Sequence, residues 1–158
     1  MFTQPFASEA VVAQAFAIAV LLCGTMLLGA GQSTERTVWN GIYTEDQAER
    51  GSTIYRRTCR KCHFADLSGA GDADTAPGEL PPGLVGSAFF DRWNDLTVAE
   101  LYLAIARGMP GDRPGTLRPQ ATADVLSYLL QQNAFPAGDA ELPPEPARLE
   151  VWLITEFR

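Results

Sequence analysis

The chain is poor in the residues on which most site chemistry depends. Its 158 residues include one His, three Cys and three Met. A single His excludes mechanisms that need two imidazoles, including most zinc enzymes. Three Cys are too few for a disulfide scaffold. Cationic side chains are in deficit, with 12 Lys+Arg against 19 Asp+Glu and a formal charge of −7. That balance argues against a nucleic-acid binder, which presents a basic face to phosphates. Wholesale disorder is excluded too, because 46% apolar and 20% charged residues are the proportions of a globular chain. There is no internal repeat, and the length suits one domain with additions.

Charge is absent altogether from Ala10 to Ala30, AVVAQAFAIAVLLCGTMLLGA. A secretory leader has a basic start, a short apolar stretch and a small-residue cleavage site. Here the start has no Lys or Arg and carries Glu9, whereas Gly29, Ala30 and Gly31 supply a cleavage site. About 20 apolar residues can also remain as a bilayer span. Residues 1–31 are therefore expected to be a signal peptide or an N-terminal membrane anchor. Either places the remainder outside the cytoplasm, in the periplasm, with the anchor attaching it to the membrane. Cys23 follows Leu21 and Leu22 rather than a small residue, which argues against lipidation.

Residues 32–142 read as one domain and 143–158 as a tail. Thr44–Thr58 predicts a helix, with Thr44 and Gln47 at capping-box spacing and Glu45 and Asp46 in the first turn. Cys59 to Leu96 is rich in Gly, Pro, Ala and Asp and reads as loop. Thr97–Arg107 predicts a second helix, with Thr97 and Glu100 repeating the capping pattern and Leu101, Ala104 and Ile105 forming an apolar stripe. Thr122–Gln132 predicts a third, on the face of Val125, Tyr128 and Leu129. Asn133 to Pro146 is a Pro-rich linker, and Leu149–Thr155 a short strand or docking segment. The fold class is all-α, three to four short helices with long loops. So little regular structure leaves a thin hydrophobic core, and something else must fill the middle.

Cys59-Arg60-Lys61-Cys62-His63 names the filler. C-x-x-C-H is the attachment signature of c-type haem. Two thiols three residues apart on a turn reach the two vinyl groups on one porphyrin edge, and the following imidazole reaches the iron. Haem is large, flat and mostly apolar, so it substitutes for the missing core. A thioredoxin-like C-x-x-C needs a βαβ context, which is lacking here. A structural zinc site needs four ligands, and adjacent Cys and His suit one metal poorly. A plain Cys59–Cys62 disulfide leaves His63 unexplained. One haem c, covalent through Cys59 and Cys62, is expected.

Met109 is the sole Met beyond the apolar leader, the others being Met1 and Met26. It sits between Gly108 and Pro110 at a helix end, on a proline-stiffened loop. A thioether is soft and neutral and raises the potential of a haem iron relative to two imidazoles. His63 and Met109 are the expected axial ligands. With both positions filled, the iron suits electron transfer and disfavours oxygen or peroxide chemistry.

With these residues in place, the stretch from Trp39 to Leu142 resembles a monohaem class I cytochrome c. The resemblance implies that fold, wrapped around the haem. Gly51 and Tyr55 resemble the Gly and aromatic pair at which the first and last helices cross, facing Val125, Tyr128 and Leu129. Pro82-Gly83-Leu84-Val85-Gly86 resembles the family's Pro-x-Leu-x-Gly loop, which implies that the Pro82 carbonyl accepts the His63 Nδ1–H and that Leu84 packs on the porphyrin. The resemblance places Trp93 near a haem propionate. Phe64 departs from the pattern, since many relatives carry Gly directly after the haem His.

The implied function is a one-electron carrier without catalytic residues or small-molecule substrate, shuttling between redox proteins such as a dehydrogenase, an oxidase or a membrane complex. The alternative is a cytochrome c subunit permanently docked in such a respiratory or photosynthetic complex. Arg56, Arg57, Arg60 and Lys61 cluster beside the attachment motif on an acidic chain, a patch able to steer an acidic partner.

Overall fold

A computed structural model describes residues 35–69 and 80–157. The expected leader or anchor at 1–31 lies outside them. Helices dominate, and among the described residues there is no regular strand. Among the described residues there are five α-helices: α1 (Glu45–Thr58), α2 (Arg60–His63), α3 (Ser87–Trp93), α4 (Val98–Gly108) and α5 (Pro119–Gln132). Short 3-10 turns cover Val38–Asn40 and Pro146–Arg148.

The starts of α1 and α4 follow their sequence signals. Thr44 Oγ1 accepts the Gln47 amide at 3.2 Å. Thr97 Oγ1 accepts the Glu100 amide at 3.2 Å, and Glu100 accepts the Thr97 amide at 2.7 Å, closing a reciprocal capping box. α5 begins three residues before the expected Thr122, because Pro119 occupies its first position. There the missing N–H costs nothing and the fixed φ is already helical. α3 lies inside the stretch expected to be loop. It has seven residues and no side-chain cap, too short to establish a periodic pattern. It is held instead by Phe89, which is fully buried, and by Phe90; their ring centroids lie 6.4 and 5.9 Å from that of Phe135.

α1 and α5 form the most extensive helix–helix contact. A Cβ on Gly51 would stand 1.8 Å from the Asp124 carbonyl oxygen and 2.9 Å from Tyr128 Cβ. Only a residue without a side chain lets the backbones meet here. Tyr55 and Tyr128 stack beside the crossing with ring centroids 5.3 Å apart. Gln47, buried on α1, donates to the Leu142 carbonyl at 2.9 Å and accepts its amide at 2.7 Å, so its burial leaves no unpaired amide.

The segment after α5 docks rather than trailing away. Leu142, Leu149 and Ile154 are buried. Leu153 makes isolated bridges to both Thr37 and Thr97. Asp95 and Val98 donate to the Ile154 and Trp152 carbonyls at 2.8 and 2.9 Å, and Val38 donates to Leu153 at 2.9 Å. Leu149–Thr155 thus docks through single bridges and forms no strand. The described residues from Arg36 onward form one compact unit.

Candidate functional site

α2 is a single turn that begins where α1 ends. Cys59 closes α1 by donating to the Tyr55 carbonyl at 2.9 Å, and its own carbonyl accepts the His63 amide at 3.0 Å. Cys59 and Cys62 therefore share one helical turn, with His63 immediately after. Both Cys are free thiols, Cys59 partly buried and Cys62 exposed. Burial, with Cys62 adding to it, pushes the Cys59 thiol up to about 11.

His63 is 6% exposed. Its Nδ1 lies 2.9 Å from the Pro82 carbonyl oxygen. A carbonyl can only accept, so Nδ1 carries a proton and Nε2 is the ring nitrogen left to face a metal. That is the state a metal-ligating imidazole needs, with ring orientation fixed from behind. The loop supplying Pro82 is itself fastened. Leu84 donates to the Leu67 carbonyl at 2.8 Å, and Gly69 donates to the His63 carbonyl at 3.2 Å. Gly69, at φ +67, would place a Cβ 2.5 Å from the Pro81 and Pro82 backbone, so this close approach requires glycine.

These residues open onto one cleft of about 860 Å³, counting the part open to solvent. Cys59, Cys62, His63, Pro82, Leu84, Trp93 and Met109 all line it, so every sequence-expected site residue is brought to one place. Leu101, Ile105, Val125 and Leu129 from α4 and α5 complete a mainly apolar wall. Met109 ends α4, where its amide donates to the Ile105 carbonyl at 3.0 Å. The size and apolar lining match a site for a large flat cofactor. The donor set is two thiols, an imidazole and a thioether. The residues fit haem c.

Three participants were not read from the sequence. Asn133 is buried after α5 and ties the Pro82–Gly86 loop to that helix. Its Oδ1 accepts the Gly86 amide at 3.1 Å, and its Nδ2 donates to the Leu84 and Leu129 carbonyls at 2.9 Å each. The available signal was an Asn just past a helical pattern, a residue type favoured at helix ends. Arg92 lines the cleft beside Trp93. Asp112 pairs at 2.5 Å with Lys61, a member of the expected basic patch.

Residues 46–129, just over half of the chain, match the family described as "Cytochrome C oxidase, cbb3-type, subunit III". The chain belongs to this family of c-type cytochrome domains. It is also 27% identical over 99 residues to a cytochrome c of Chlamydomonas reinhardtii, an alignment covering 54% of this chain and 88% of that protein. No solved structure matches it. A cytochrome c domain implies haem-based electron transfer. No helix among the described residues is long and apolar enough to cross a membrane.

Proposed function

We propose that the protein is a single-electron carrier with one haem, tethered covalently by Cys59 and Cys62 and ligated by His63 and Met109. When bound, the haem supplies a one-electron couple at its iron. The observation that carries the reading is that His63, its Nδ1 held by the Pro82 carbonyl, and the lone Met109 of the described residues line one apolar cleft. His63 offers Nε2 while the Pro82 carbonyl fixes its ring and raises its basicity. Met109 brings a neutral sulfur, which favours the reduced state. Leu84 and Trp93 line the cleft, where Leu84 would pack on the porphyrin and Trp93 would stand by a propionate. The apolar walls from α4 and α5 exclude water from both ligands. No group acts as acid, base or nucleophile.

Met109→His is expected to lower the reduction potential, measured by redox titration of the haem-loaded protein. An unchanged potential refutes the ligand assignment. The working compartment is outside the cytoplasm, supported by the uncharged run from Ala10 to Ala30. Intact mass of the mature protein reads both the haem number and whether residues 1–31 remain. The family match to an oxidase subunit favours one second reading, permanent docking in an oxidase complex. Solubilised membranes from the native source separate the two: co-migration of the haem protein with an oxidase supports docking, and its recovery alone supports the shuttle.

A further inference from the structure

The mouth of the cleft is crossed by one polar tie. Lys61 lies between the two Cys of the attachment motif, and Asp112 lies three residues past Met109. The Lys61 ammonium donates to the Asp112 carboxylate at 2.5 Å, with both side chains about half exposed. Among the described residues, no other hydrogen bond or ion pair joins α2 to the loop from Met109 to Asp112.

Apart from the packing of Met109 on the core and the burial of Pro110, few hydrogen bonds hold that loop. The Met109 amide is the last to bond back into α4, and the next internal bond runs from the Arg113 amide to the Pro110 carbonyl at 2.8 Å. A Cβ at Gly108 or Gly111 would meet nothing within 4 Å, so packing at these positions is loose. Arg113 approaches the same carboxylate at 3.9 Å, but it belongs to the loop side and does not cross the cleft.

We propose that Lys61 is a positioning residue: through Asp112 it holds the Met109 loop closed against α2 and so limits how readily the thioether leaves its place. This rests on the reading of Met109 as an iron ligand. The clasp is electrostatic and half exposed, so salt weakens it. Lys61 also lines the cleft, but the pair supplies neither an attachment point nor an iron ligand; it acts by fixing where the loop rests.

The test uses the haem-loaded full chain and two readouts. One is the rate at which added imidazole enters the ferric site, which reports loop opening. The other is hydrogen exchange of the Arg113 amide, which needs no added ligand. At low ionic strength K61Q and D112N should each raise both about two- to five-fold, the range for an exposed ion pair. K61Q/D112N should exceed D112N by nothing, and K61R should restore the wild-type rates. At about 1 M salt, where the screening length is about 3 Å, all the proteins should converge. Equal rates and equal exchange in wild type, K61Q and D112N at low salt would overturn the clasp. M109A keeps the two ideas separable, because it should admit imidazole much faster than any clasp variant. A wild type as fast as M109A refutes the ligand reading, and the exchange difference at Arg113 then decides the clasp by itself.

Discussion

Phe64 follows the haem-type His at φ +63 and ψ 174, backbone space that is essentially glycine's. The conformation persists because its surroundings impose it. The Tyr55 hydroxyl donates to both the His63 and Phe64 carbonyls, at 3.2 and 2.8 Å, and the Phe64 ring is 46% exposed. Phe64→Gly should therefore stabilise the folded protein by about 1 kcal/mol, read by denaturant unfolding of the haem-loaded form. Phe64→Ala keeps the strain and should give no such gain. The departure from glycine was legible in the sequence, as were the two Cys, His63 and Met109, because each has chemistry few other residues share. Asn133 was not. Its role depends on carbonyls 49 residues away, and a lone Asn ahead of a Pro-rich stretch carries no mark of distant partners. Asp112 was equally silent, since one carboxylate among many identifies no cation across a cleft.

At the scale of elements, the crossing of α1 and α5 depends on a missing side chain. Gly51→Ala forces a methyl into the Asp124 carbonyl. The helices must part, at a cost of about 3 kcal/mol. Thermal unfolding should show this loss, together with loosened packing of Tyr55 on Tyr128. The sequence pointed to this crossing through resemblance, but it named Val125, Tyr128 and Leu129 as the facing residues. The closest approach is instead to the backbone of Asp124, while Val125 and Leu129 turn to the cleft. The capping box on α4 gives a second prediction. Thr97→Ala should cost about 1 kcal/mol. The Thr97 amide and hydroxyl hold the Glu100 carboxyl below its ordinary value of 4.5. A depressed folded value means stabilisation present above 4.5 and lost as pH falls through it. The stability gap between wild type and Thr97→Ala should thus narrow in acid, as measured by denaturant melts across that range. α3 escaped sequence reading because its hold is tertiary. Two adjacent Phe in a Gly- and Pro-flanked stretch look the same whether they pack in a helix or a loop.

For the whole molecule, charge is unevenly spread. Arg56, Arg57 and Arg60 are exposed beside the attachment turn, on a chain of formal charge −7. Lys61 is committed to Asp112, and Arg56 donates to Ser52 and Thr53 hydroxyls, which leave its charge unneutralised. Such a patch raises encounter rates with an acidic partner more than affinity. Reversing Arg56 and Arg57 to Glu should slow bimolecular electron exchange at low salt and abolish its salt dependence, in stopped-flow kinetics with an acidic redox protein. Unaltered rates and salt slope would refute steering. The tail expected at 143–158 shows why whole-molecule features were the least legible: its burial rests on backbone bonds to Arg36–Val38 and Asp95–Val98, which leave no side-chain signature. Because Thr37 pairs with Leu153, the folded unit begins and finishes at the same corner. Fixed to an electrode through residue 36 or through residue 157, it would present the same side to solution, so attachment chemistry can be chosen for convenience without changing its orientation.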